Sequence, residues 1–409
     1  MGDPALVGPC RRVAILALVV LVLSPAMARA SGDSSPERNP KAGGYWVLTA
    51  NMTYTRAQQS ATLLRTGEVL IAGGLGTGES SAELYDPQAE TWAVTGFMAE
   101  DRDGHTATLL RSGKVLVAAG YDPDEESKER QAELYDPMTG VWRSTGNLAV
   151  ARAGHTATLL PSGKVLVVAG LGNFGATATA ELFLPTKGRW VTTASLSQAR
   201  ENHRAVLLST GEVLVMGGDQ DAPHTELATA ELYDPASGTW SPTGSMIQAR
   251  AGFTATRLSD GTVLVAGGCC DSSGHPLASS EIYHPESGTW TSTGSLADAR
   301  QSAAATRLRG GTVLVTGGND GFNGFATAEL YDPSTGTWSP TGSMTYGRDY
   351  LTLTLLKDGR VLAVGGGGDT AEIYFPPSSP RWPRRCLGWV DTACSRNHES
   401  FGADAGTGG

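Results

Sequence analysis

One line of sequence recurs along this chain and governs what it can fold into. "TAELYDPASGTWSPTGSM" runs from Thr229 to Met246, and "TAELYDPSTGTWSPTGSM" from Thr327 to Met344. The Trp that ends each line falls at Trp46, Trp92, Trp142, Trp190, Trp240, Trp290 and Trp338, with gaps of 46, 50, 48, 50, 50 and 48. The aromatic of "ELYDP" falls at Tyr85, Tyr135, Phe183, Tyr233, Tyr283, Tyr331 and Tyr374. A period of this size marks a supersecondary unit that cannot bury its apolar faces alone and must stack on its neighbours.

Each unit reads as four short strands. The first, "HTATLL"-like, ends at a small polar residue plus Gly, such as Ser112-Gly113 or Asp260-Gly261, a tight hairpin signal. The second, such as Val263 to Gly268, is apolar without alternation, so both of its faces must be covered. The third alternates, with Ala328 and Leu330 on one side and Glu329 and Tyr331 on the other. A turn with Pro333 and Gly336 leads to the Trp-bearing fourth strand. Four-stranded antiparallel sheets with two apolar faces, packed radially, give an all-β fold: a β-propeller.

The count of strands predicts how the ring closes. Seven sets of first, second and third strands are present, but the last, ending at Tyr374, has no fourth strand of its own. The orphan "YWVLTANMTYTR", Tyr45 to Arg56, matches "TWSPTGSMTYGR", Thr337 to Arg348. Seven blades are therefore expected, closed by the N-terminal strand pairing into the last. Tying ends some 330 residues apart costs about 5 kcal/mol, which burial of Trp46, Val47 and Met52 is expected to exceed.

The marks "GG", "YDP" and "GTW", at this spacing and in this order, resemble the kelch repeat over Gly44 to Pro376. The units look like those of bacterial secreted kelch proteins and of the propeller domain of galactose oxidase. Departures are Phe183-Leu184-Pro185 and Tyr283-His284-Pro285 for "YDP", and Ala119-Gly120 and Ala169-Gly170 for "GG". The resemblance implies that the face carrying the loops after "GG" binds partners.

The flanks are different. Arg11 and Arg12 precede an apolar run, Val13 to Leu23, and then Ala28-Arg29-Ala30. Residues 1–30 read as a signal peptide cleaved near Ala30, giving a secreted, periplasmic or cell-surface protein. No later segment reads as a membrane span. Residues 31–43 read as a linker and 377–409 as a poorly ordered extension, pinned by a Cys386–Cys394 disulfide. The formal charge of −10 becomes −10 − 2 = −12 without the leader, which carries Arg11, Arg12, Arg29 and Asp3. Such a surface disfavours nucleic acid as a partner. A monomer is expected.

Candidate chemistry is sparse. Seven Arg open the units, including Arg102, Arg152 and Arg200, and match seven Glu in number; one buried ion pair per blade is the scaffold reading, a ring of charges for ligand the functional one. Three units place a His three residues after that Arg: His105, His155 and His203. Brought together at the channel they could hold copper or zinc; the plainer reading is that the place accepts any residue that packs. Cys269 and Cys270, with His275 nearby, could hold a metal or form a disulfide, or simply lie in a surface loop. "YDPDEESKER", Tyr121 to Arg130, reads as a solvated acidic loop, with calcium as the alternative. The loops after "GG" differ most between copies, and Phe174, His224, Phe322 and Phe325 are the contact candidates there.

These readings favour a propeller that binds protein or glycan through one loop-rich face, with no cofactor. The alternative is a copper- or zinc-dependent oxidoreductase of the galactose oxidase kind with metal at the channel histidines. That kind needs two His, two Tyr and a Cys bonded to one Tyr, and Tyr283-His284, the one Tyr-His pair, reads as a turn.

Overall fold

A computed structural model describes residues 43–220, 225–270 and 274–377. The predicted leader, residues 31–42 of the linker, the Cys386–Cys394 pair and the extension from residue 378 lie outside the described residues.

The described chain forms seven four-stranded antiparallel sheets. The fifth blade shows the plan: inner strand Thr254–Arg257, second strand Val263–Ala266, third strand Ser280–His284 and outer strand Thr289–Thr293. The seventh takes Leu351–Leu355, Val361–Gly365 and Ala371–Phe375 from the end of the repeats and Tyr45–Leu48 from their beginning. Trp46 pairs with Tyr374 and Tyr45 with Phe375, whose rings stack at 4.9 Å. The predicted closure is therefore observed. Trp46 and Met52 are buried, while Val47 remains 43% exposed on the outermost strand.

The cores lie between blades rather than within them. Val69 and Ile71 of the first blade pack with Leu362 and Val364 of the seventh, while Leu70 and Ala72 turn the other way onto Val115 and Val117 of the second. This is why the second strand shows no polar alternation: each face meets a different neighbour. Burying one such Val or Leu contributes about 2 kcal/mol.

Two polar ties repeat around the ring. The Trp142 indole N–H donates to the Gly96 carbonyl at 2.7 Å, and Trp240 to that of Ala194 at 2.8 Å. The Tyr135 hydroxyl meets Thr95 at 2.8 Å, and Tyr283 meets Thr243 at 2.8 Å. Each tie spans two blades. Phe183 lacks the hydroxyl, and Thr145 keeps only the bond to the Gly188 carbonyl, which Thr193 and Thr293 make alongside their tyrosines.

The first residue after the second strand is left-handed. A Cβ on Gly217, at φ +61°, would stand 2.6 Å from Phe253 and 2.7 Å from the Arg250 carbonyl. Ala119 and Ala169 replace this Gly yet keep φ at 58° and 57°. These two departures from "GG" thus preserve the turn, at the conformational cost that L-residues meet there.

Candidate functional site

The loops after the second strand and the connections between blades share one end of the propeller. A chain leaving the outer strand passes the repeated Arg before it enters the next inner strand, and that Arg fixes the base of the neighbouring loop. The Arg250 Nη1 donates to the carbonyls of Gly267 at 2.8 Å and Ser279 at 3.0 Å, the two ends of the loop after the second strand. Its Nη2 donates to Glu281 at 2.7 Å. Glu281 also accepts from the backbone N–H groups of Ile247 at 2.7 Å and Gln248 at 3.0 Å. Six further Arg–Glu pairs, from Arg56–Glu83 to Arg348–Glu372, stand at 3.0–3.4 Å.

This changes the reading of Arg102, Arg152 and Arg200 as ligand contacts. All three are 0% exposed, and their Nη1 and Nη2 atoms are engaged by loop carbonyls and by Glu133, Glu181 and Glu231. Desolvation lowers their pKa, and the Glu partners oppose it. They hold the rim up from below.

His105, His155 and His203 also sit inside the wall, at 7%, 5% and 0% exposure. Each bonds through Nε2 to a hydroxyl on the inner strand of the preceding blade: His105 to Ser60, His155 to Thr106 and His203 to Thr156, all at 2.8 Å. The three rings thus occupy three successive blade interfaces. Among the described residues they do not form a set of ligand atoms within 4.8 Å of one another, and the set does not fit a copper or zinc centre. Desolvation and the nearby Arg hold them neutral: His105 falls to about 3, and His155 and His203 lie well below the usual imidazole range. The physical reason is strand geometry. Side chains of an inner strand alternate between the two flanking blades, so a shared sequence position does not aim them at one point.

The rim above the clamps carries the variation. Phe174 and Phe322 are 106% and 79% exposed at loop tips. Phe325 is half-buried, with the Arg300 guanidinium 5.2 Å from its ring centroid, so it belongs to the clamp layer. His224 lies outside the described residues.

Tyr121 to Arg130 is a solvated acidic turn at its tip, where Asp124, Glu125 and Glu126 are exposed, but its flanks are strand. The second and third strands continue into it as Val115–Asp122 and Ser127–Asp136. The Asp122 carboxylate accepts from the backbone N–H groups of Asp124 at 2.8 Å and Glu125 at 3.0 Å, which makes the turn. Asp122 and Glu129 are 4% and 5% exposed, and with Glu125 they bring carboxylate oxygens within 4.8 Å of one another. Burial raises the pKa of Glu129, Arg102 opposing, and burial with Glu79 pushes Asp103 up to about 7.

Cys269 and Cys270 are joined as a disulfide and buried, and the Glu226 carboxylate of the preceding blade lies within 4.8 Å of both sulfurs. His275 is not part of that group. The Tyr283-His284 pair lies in the third strand rather than in a turn: Tyr283 pairs with Val263 and Trp290, His284 pairs with Thr289, and the imidazole Nε2 meets Thr291 at 2.9 Å. No described helix is long and apolar enough to cross a membrane.

Comparison with known proteins agrees with this architecture. The Kelch motif model matches residues 202–247, 250–297 and 303–345, about a third of the chain. No curated protein matches. A novel fungal alcohol oxidase of the AA5 family, solved in complex with copper, superposes with a TM-score of 0.68 at 19% identity, over 83% of this chain and 79% of that one. The structure of YjhT superposes with a TM-score of 0.57 at 14% identity, over 72% of this chain and 99% of that one. At these identities the likeness is one of fold. Seven closed blades, a repeated Arg–Glu clamp and the matched motifs make this chain a kelch-repeat β-propeller, with the fold of the galactose oxidase-like propellers.

Proposed function

We propose that the chain is a non-catalytic recognition propeller that takes a protein or glycan ligand on its loop-rich rim. The observation that carries this reading is the exposure of Phe174 and Phe322 at the tips of loops whose bases are clamped. Aromatic side chains on a rigid support present large apolar area at small entropic cost. The chemically versatile Arg and His of the repeats are, by contrast, buried and hydrogen-bonded within the scaffold. With the leader removed near Ala30, the rim would face an extracytoplasmic compartment, where surface proteins and glycans are its available ligands.

The test is binding of the purified mature protein to a glycan array and to immobilised surface proteins, comparing wild type with Phe174→Ala/Phe322→Ala. Binding that weakens at least tenfold in the double variant supports the reading. Binding unaffected by both changes contradicts it. Metal content and peroxide release from sugars and alcohols address the oxidoreductase alternative: stoichiometric copper with peroxide formation would replace the recognition reading.

A further inference from the structure

One cation of the inner wall stands apart from the seven clamped ones. Arg204 opens the inner strand Arg204–Leu207 of the fourth blade. The corresponding place in the other units holds Ser60, Thr106, Thr156, Thr254, Ala304 and Thr352, all short side chains. In the first three interfaces this place gives a hydroxyl to the next blade's imidazole. In the fourth, the next blade supplies Phe253, and the Arg204 guanidinium lies 6.0 Å from its ring centroid.

The side chain is under-used. Nη1 donates to the His203 carbonyl at 3.1 Å, and among the described residues no other hydrogen bond and no carboxylate reaches the group. Every repeated Arg, by contrast, has its Glu. Burial alone acts on its pKa, which it lowers, with no acidic side chain to offset the desolvation. The residue is nevertheless half-buried rather than sealed, as expected of an inner strand that borders the central channel.

We propose that Arg204 binds a small carboxylate in the central channel, at the interface of the fourth and fifth blades. A guanidinium is planar and keeps its charge when buried, and its fork of N–H donors matches the two oxygens of a carboxylate. Phe253 supports one face of the group, which leaves Nε and Nη2 for the ligand. The other six side chains at this level carry no charge, so the layer offers one positive charge inside a chain of net charge −10. That balance favours a monoanion over phosphate or sulfate dianions. The hydroxyls at the same level on the flanking blades are already engaged, Thr156 with His203 and Thr254 with the Ala266 carbonyl, so Arg204 is the group that recognises the ligand. The inference concerns the channel and is independent of what binds on the rim.

The experiment titrates the full chain with acetate, with glucuronate and with the methyl ester of glucuronate at constant ionic strength. Calorimetry and the thermal unfolding midpoint are the readouts. Wild type is expected to bind both acids saturably and to be stabilised by them, and to ignore the ester. Arg204→Thr, which installs the residue found at Thr156 and Thr254, is expected to unfold cooperatively and to bind at least tenfold more weakly. Equal carboxylate binding by wild type and Arg204→Thr overturns the proposal. Should that variant not fold, the wild type alone decides: no saturable acid binding, or equal binding of the ester, overturns it.

Discussion

Two layers at the same end of the propeller could hardly differ more. The clamp layer repeats seven times with almost no change: an Arg, a Glu and two loop carbonyls. The rim directly above it changes in every blade, from the paired extension of Val115–Asp122 and Ser127–Asp136 to the exposed tips at Phe174 and Phe322. The contrast teaches how the fold tolerates variety. Each Arg pins both ends of its loop, so the loop leaves and re-enters the blade at fixed points whatever lies between. Variation above then costs the scaffold little.

The largest expected effect comes from breaking a clamp. Arg250→Ala strands the buried Glu281 and two loop carbonyls, and denaturant unfolding should show a loss of about 3–5 kcal/mol. Arg250→Lys should recover only part of this, because an ammonium lacks the fork. A loss under about 1 kcal/mol would mean that the clamp is ornamental.

Acid tests the wall beside the clamps. Burial depresses the folded-state pKa of His105, His155 and His203 below the unfolded value near 6.5. The unfolded chain therefore takes up protons first as pH falls. Their contribution to stability is intact above pH 6.5 and is lost as pH falls below it; for His105 the loss runs down towards about 3 and reaches about 2 kcal/mol at pH 5. Replacing all three by Gln, the residue at Gln59, should flatten stability between pH 7 and 5.

Phe183→Tyr restores the missing interblade hydroxyl. It should meet Thr145 and raise stability by about 0.5–1.5 kcal/mol. The smallest change in stability is expected on the rim, where Phe174→Ala and Phe322→Ala should each stay within about 0.5 kcal/mol while binding falls. A rim variant as damaging as a clamp variant would erase the distinction between the layers.

Much of the fold is legible in the residues because repetition exposes it. The missing fourth strand after Tyr374 and the spare one at Trp46 point to each other, and the seven Arg and seven Glu announce their pairing by number. The site is less legible. A column of His in three consecutive units invites a shared centre, yet a strand aims them at three different hydroxyls. The acidic run from Tyr121 to Arg130 looks solvated throughout because its composition is polar; its tip is exposed, but turn formation by Asp122 lets the strands continue into its flanks. Arg204 was visible as the one charge in a column of Ser, Thr and Ala, a signal that emerges only when the units are read position by position.

Closure of the ring underlies both layers, since an open seventh blade would leave neither a continuous clamp nor a continuous rim. A Tyr45→Cys/Phe375→Cys variant tests it directly, because these residues are paired and their rings stack at 4.9 Å. The account predicts an intramolecular disulfide under oxidising conditions, detected by mass, and a gain of up to about 5 kcal/mol over the reduced form. Cysteines that stay free, or that link one molecule to another, would contradict it.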